Sequence, residues 1–153
     1  MQEVISESTT LFQYNDGGRE ESGYKGETGD CGCRAIAIAT GLPYQYVYDL
    51  IKEYGNKERL TAKRKRGGKS HPRTGIWKET FKKIMVDLGW SWTPTMQIGS
   101  GCKVHLKANE LPTGTIICIV SRHYVAVIDG VIHDTYNPTR DGSRCVYGYF
   151  SKD

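Results

Sequence analysis

The stretch His123-Tyr-Val-Ala-Val-Ile128, Asp129-Gly130, Val131-Ile-His-Asp-Thr-Tyr136 decides the fold. Two apolar, largely β-branched runs flank an Asp-Gly pair, and Asp-Gly suits the left-handed dihedrals of a two-residue type I′ turn. The stretch is therefore expected to be a β-hairpin whose loop length sets its register. Ile128 then faces Val131, Val125 faces Asp134, and His123 faces Tyr136. Side chains alternate along strands, so His123, Val125, Ile132, Asp134 and Tyr136 share one face. His123 and Asp134 become diagonal neighbours, roughly 7–8 Å apart at the backbone, a gap that an imidazole and a carboxylate span. His133 falls on the opposite face. One extra loop residue would reverse this parity.

Outward from the hairpin, Thr115-Ile-Ile-Cys-Ile-Val120 has strand character, Cys145 to Phe150 reads as a final strand, and Trp92 to Ile98 as a short one. Leu106 to Leu111 is expected to be a connector, and Asn137-Pro138 and Asp141-Gly142 mark turns. Upstream the texture is helical. Asp30 is expected to N-cap a helix that starts at Cys31-Gly-Cys-Arg-Ala-Ile-Ala-Ile-Ala-Thr40 and ends at Gly41. That run is apolar on nearly every side, which places it in the middle of a domain. Pro43 opens a second helix through about Tyr54, and a third is expected from Ile76 to Leu88. Trp77, Trp90 and Trp92 read most simply as core and rim packing. Helices first and strands second indicate an α+β fold, with a buried central helix packed on a C-terminal antiparallel sheet. The 153 residues read as one domain, with residues 1–27 an irregular leader holding at most a short strand at Thr10–Tyr14. Residues 61–75 read as a basic, mobile loop.

Composition bounds the function classes. With 38% hydrophobic residues the chain can bury a core. No run approaches the roughly 18 apolar residues of a membrane helix. Met1 to Thr10 lacks the basic start and apolar run of a signal peptide, so a cytoplasmic, reducing location is expected. The five cysteines (31, 33, 102, 118 and 145) are too sparse for a disulfide scaffold and are expected as free thiols, metal ligands or a nucleophile. Six cations, Lys63, Arg64, Lys65, Arg66, Lys69 and Arg73, lie in one short segment; without them the remaining Lys and Arg are outnumbered by the 17 acidic residues.

Thiol catalysis needs a stabilised thiolate, a histidine to move the proton, and a polar group to orient that histidine. Cys31 sits at a helix start, where unpaired amides and the helix dipole favour an anion. Asp30 opposes this unless its carboxylate turns inward to cap the helix. Cys33 lies about 200° further round the axis, so both thiols cannot enter one site. His123 and Asp134 supply the other two roles from the hairpin. Each residue also has a plain structural role open to it: a small core cysteine, a packed histidine, an aspartate capping a turn. Metal binding through Cys31, Cys33 and His123 or His133 lacks the paired spacing of zinc sites, so neither metal nor cofactor is expected.

At Asp-Cys-Gly-Cys-Arg-Ala (30–35) and at Arg-His-Tyr-Val-Ala-Val-Ile-Asp-Gly-Val-Ile-His-Asp-Thr (122–135), the chain resembles the papain-like cysteine peptidase superfamily. It is similar there to small phage and bacterial proteins labelled cysteine proteases, over about residues 28–52 and 112–150. The resemblance implies a papain-like fold and a hydrolase acting on peptide, isopeptide or related acyl bonds. Cys31 would be the nucleophile, His123 the general base and Asp134 the orienting residue. For a phage protein it also implies the host cytoplasm. Many members complete the oxyanion hole with a Gln before the cysteine, but Lys25-Gly-Glu-Thr-Gly-Asp30 offers neither Gln nor Asn. The Cys31 amide is one expected donor, with Thr28, or the more distant Asn15 or Gln13, as the second. The rival expectation is a catalytically weak or inactive binding protein that engages nucleic acid or an acidic host protein through its basic loop.

Overall fold

Asp129 and Gly130 adopt φ 47° and 79°, the left-handed pair that a tight type I′ turn requires. In the computed structural model, which describes residues 11–25, 29–59, 68–97 and 99–152, this turn joins β4 (His123–Ile128) to β5 (Val131–Asp134). The register is the expected one, with Ile128 opposite Val131 and Val127 opposite Ile132. Around this hairpin lie β1 (Phe12–Tyr14), β2 (Ser91–Pro94), β3 (Thr115–Val120) and β6 (Gly148–Ser151), in a six-stranded sheet ordered β1-β5-β4-β3-β6-β2. Four of the five pairings are antiparallel. The fifth departs from expectation: β1 runs parallel to β5, with Gln13 opposite His133, so the sheet is mixed. A strand from the leader can dock in this direction because it comes from outside the hairpin meander and needs no tight turn.

Among the described residues three helices, α1 (Cys31–Thr40), α2 (Tyr44–Asn56) and α3 (Lys78–Asp87), precede most of the strands, making the class α+β. Gly41 ends α1 in a left-handed C-cap at φ 76°, its amide donating to the Ala37 carbonyl. One core lies between helices and sheet. Ile36, Val47, Ile51, Phe81 and Ile84 meet Ile117, Ile119, Tyr124, Ala126 and Phe150 there. Phe81 stacks on Tyr124 with ring centroids 4.0 Å apart. The other face of the sheet buries Ile116, Cys118, Val120, Val125, Val127 and Ile132 against Leu106 and Val146.

That second face is covered by the connector around Leu106, paired with the chain leading into β6. Amides of Leu106 and Val146 donate to the carbonyls of Arg144 and Val104, both at 2.8 Å. The pairing brings the Cα atoms of Cys102 and Cys145 to 5.8 Å, and the two form a disulfide. The expectation of thiols throughout is corrected to three free cysteines, Cys31, Cys33 and Cys118. No helix among the described residues is long and apolar enough to cross a membrane.

The leader is more structured than its composition suggests. Residues 15–24 form successive turns, in which Asn15 and Asp16 side chains accept amides of Gly17 and Gly18 at 2.9 Å. They carry Arg19 into the interior. Of the stretch expected as a mobile loop, residues 68–75 are tied down: the Trp77 indole donates to the Gly68 carbonyl at 2.9 Å, Ser70 is held by Glu58, and His71 pairs with Gly75.

Candidate active site

Cys31 is the first residue of α1, so the amides of its opening turn have no intrahelical acceptor. His123 and Asp134 lie at the ends of β4 and β5 nearest that opening. Alternation groups both with Val125 and Ile132, whose side chains pack on the face away from the body of α1. They meet α1 at its first turn, where Arg34 also reaches Asp134. His123 Nε2 lies 2.6 Å from Asp134 Oδ2. The hydrogen bond between the imidazole and Cys31 therefore falls to Nδ1. The backbone amide of Tyr124 also donates to the sulfur. The Tyr136 hydroxyl stands 3.4 Å from Nδ1, so the diagonal pair and its aromatic neighbour converge as the register predicts.

The charges in this trio support one another. Burial by itself would push the Cys31 thiol up, but the hydrogen bond and charge of His123, the Tyr124 amide and the Arg34 charge outweigh it and hold the thiol below its usual value. Burial likewise works against the imidazolium, yet the hydrogen bond to Asp134, then the hydrogen bond and charge of Cys31, carry His123 up to about 9. Burial opposes the Asp134 carboxylate too, and His123 and then Arg34 keep it below the ordinary carboxylate range. All three shifts run toward the charged forms, a thiolate and an imidazolium beside a carboxylate.

Behind it lies a buried ionic network. Arg34, three residues after Cys31 on α1, donates from Nη1 to Asp134 Oδ1 at 2.5 Å and from Nε to Asp30 Oδ1 at 2.9 Å. Arg19 Nη1 reaches the same Asp30 oxygen at 3.2 Å, and the Tyr44 hydroxyl donates to Asp30 Oδ2 at 2.9 Å. Asp30 occupies the N-cap position, as expected, but its carboxylate turns inward and makes no side-chain cap to α1. Two guanidinium donors and a phenol outcompete the local amides because a buried charge requires full pairing. The sequence reading missed Arg34, Arg19 and Tyr44. Arg34 had a signal: it is the one charged residue in an Ala/Ile helix and must find a partner if that helix is buried.

Cys33 sits on the underside of α1, fully buried, its sulfur 3.9 Å from the Tyr44 carbonyl. Cys31 faces His123 while Cys33 faces Tyr44, so the two thiols do not share one site, and among the described residues no group of three His, Cys, Asp or Glu side chains is placed to hold an ion. Among the expected oxyanion donors, the Cys31 amide is at the site and Thr28 lies outside the described residues. Asn15 is turned away: its amide nitrogen stands 3.3 Å from His133 Nδ1, and its oxygen accepts from the Gly17 amide. Gln13, opposite His133, points to that same side.

Of the six cations of the basic segment, Lys63, Arg64, Lys65 and Arg66 lie outside the described residues. Arg73 is turned to the leader, donating to the Lys25 carbonyl at 2.9 Å and lying 5.6 Å from the Tyr24 ring centroid. Lys69 instead lines a cleft of about 560 Å³ that opens beside Cys31 and His123, between the 74–79 segment and the β3–β4 end of the sheet. A cleft of that size suits a few side chains of a bound substrate. Compared with family models, with curated proteins and with solved structures, the chain matches none.

Proposed function

We propose that the chain is a thiol hydrolase of papain-like arrangement, cleaving a peptide, isopeptide or related acyl bond through Cys31, His123 and Asp134. The observation that carries this reading is the unbroken hydrogen-bonded chain from the Cys31 sulfur through His123 to Asp134, at the mouth of a cleft. The Cys31 thiolate attacks the carbonyl carbon, and the electron pair of the C=O bond moves onto oxygen. Amides of the first turn of α1 are the nearest donors for that oxyanion, each such donor being worth about 10²–10³ in rate. When the tetrahedral centre collapses, His123 gives its Nδ1 proton to the departing amine, leaving a thioester. It then takes a proton from water, whose oxygen attacks the thioester and releases acid and thiolate. Asp134 holds Nε2–H throughout, so the second nitrogen always faces the sulfur.

Iodoacetamide labelling between about pH 5 and 9 tests the first requirement, with cleavage of fluorescein-labelled casein as the second. One thiol should react well below the ordinary cysteine value of about 8.5, and Cys31→Ala should remove both that reactivity and the cleavage, while Cys33→Ala retains them. Uniform titration of all free thiols near the ordinary value would refute the reading.

A further inference from the structure

We infer, resting on the thiol-hydrolase reading, that the cleft beside Cys31 takes a peptide bearing an acidic side chain next to the scissile bond, and that Arg122 selects it. The cleft walls are apolar at Ile76, Trp77, Ile119, Val120 and Tyr124. Charge enters from Lys69, Lys78 and Arg122, with Glu79 as the one acidic lining residue, so the excess is cationic. Low-dielectric walls focus such a field onto the space between them.

Arg122 has a second mark. It occupies the two-residue turn between β3 and β4 at φ 56°, a left-handed conformation that strains an ordinary side chain and that glycine adopts freely. The turn is clamped from below: buried Arg144 donates to the carbonyls of Ser121 and Pro138. The Arg122 guanidinium gains nothing structural in exchange, since it makes no ion pair or hydrogen bond among the described residues. What the position provides is an exposed cation immediately before His123, on the wall of the cleft. Strain held beside reacting groups points to a use for the side chain. A peptide fits better than nucleic acid, because no lining aromatic is a free stacking platform. The Trp77 indole is tied to Gly68, and Tyr124 is buried, its hydroxyl donating to the Ile76 carbonyl at 3.0 Å.

Methanethiosulfonate reagents built on the same ethyl chain, one anionic (sulfonatoethyl), one cationic (trimethylammonioethyl) and one neutral (hydroxyethyl), read the field at the Cys31 sulfur directly. Relative to their rates with a small free thiol, the anion should outpace the cation about tenfold or more at low salt, and the gap should shrink as salt rises. Arg122→Gly should cut the preference severalfold while melting at the same temperature or higher, because glycine relieves the turn; Lys78→Glu should cut it as well. Affinity selection of a random displayed peptide library on Cys31→Ala protein should enrich Asp and Glu, and Arg122→Gly should weaken that enrichment. Slow reaction with the neutral reagent would defeat the hydrolase reading itself. Fast neutral reaction without anion preference, unenriched or basic peptides, or tighter retention of a single-stranded oligonucleotide would overturn the acidic-peptide inference alone.

Discussion

The mouth of α1 and its underside hold the same functional group two residues apart, shifted in opposite directions. At the mouth the thiol is held below its usual value; on the underside burial pushes Cys33 up to about 12, with the Asp30 charge adding to it. Cys118, sealed inside the sheet with no ionic neighbour, is also pushed up by burial. Both helix cysteines lie in the first turn, so the helix dipole cannot separate them. The difference lies in what each sulfur meets. Cys31 meets an imidazole and an amide, which outweigh its burial. At Cys33 burial and the Asp30 charge outweigh the Tyr44 phenol and Arg34, and the sulfur lies by the Tyr44 carbonyl, which favours a neutral thiol. Asp30 precedes Cys31 in sequence, but its carboxylate faces the underside network, so its charge weighs on Cys33.

The strongest way to break this contrast is His123→Ala. If the imidazole makes the difference, hydrolysis should fall by about 10²–10⁴-fold, and the alkylation profile of Cys31 should move up toward that of an ordinary thiol. A variant that keeps the low-pH alkylation limb would return the credit to the helix end and defeat the comparison.

Next in size is Arg34→Met, similar in length and without charge. It leaves Asp134 and Asp30 buried with a counterion removed, a loss of about 3–5 kcal/mol in the unfolding free energy by urea titration. Cys33→Ala on the same helix provides the contrast, since it disturbs no ion pair.

How much of this was legible from the chain follows from the range of each interaction. The Asp-Gly turn and the alternating pattern are local, and they suffice to place His123, Asp134 and Tyr136 side by side. The Ala/Ile run marks a buried helix with a cysteine at its head. The Arg34–Asp134 pair joins residues 100 positions apart, and no local rule names that partner. The same holds for Arg19 and Asp30, for the docking of β1 beside β5, and for the disulfide, which exists only because the connector around Leu106 folds back along the chain before β6. Asp30 takes the N-cap position, but its carboxylate serves the guanidiniums, because a cap is worth about 1 kcal/mol while leaving a buried guanidinium unpaired costs several.

A smaller effect appears in stability against pH. His123 rises from about 6.5 unfolded to about 9 folded, so its contribution is complete below the unfolded value and is lost as pH climbs through the folded one. Asp134 is depressed, so its contribution holds above an unfolded value of about 3.9 and fades as pH falls through the lower folded value. Cys31 is depressed, so its contribution grows as pH rises through its folded value and offsets the loss at His123. The His123 effect is therefore read in a Cys31→Ser background, where urea unfolding should show a decline on the order of 1–2 kcal/mol between about pH 6.5 and 9 that Cys31→Ser/His123→Gln lacks. A flat Cys31→Ser curve would mean that Asp134 holds no extra proton on the imidazole.

The smallest expected effect sharpens the comparison most. Cys33→Ala removes one sulfur from a fully buried position, which opens a small void, while alanine's helix propensity returns part of the loss. The net change should be about 1 kcal/mol or less, and the pH profile of Cys31 alkylation should not move. Were that profile to shift, the two sides of α1 would be coupled, and a route is visible. Tyr44 accepts from Cys33 through its carbonyl and donates to Asp30 through its hydroxyl, and Asp30 leads through Arg34 to Asp134 and His123. Independence of the two thiols therefore requires that this network hold its geometry when the sulfur is gone, which full pairing of Asp30 by two guanidiniums and a phenol equips it to do.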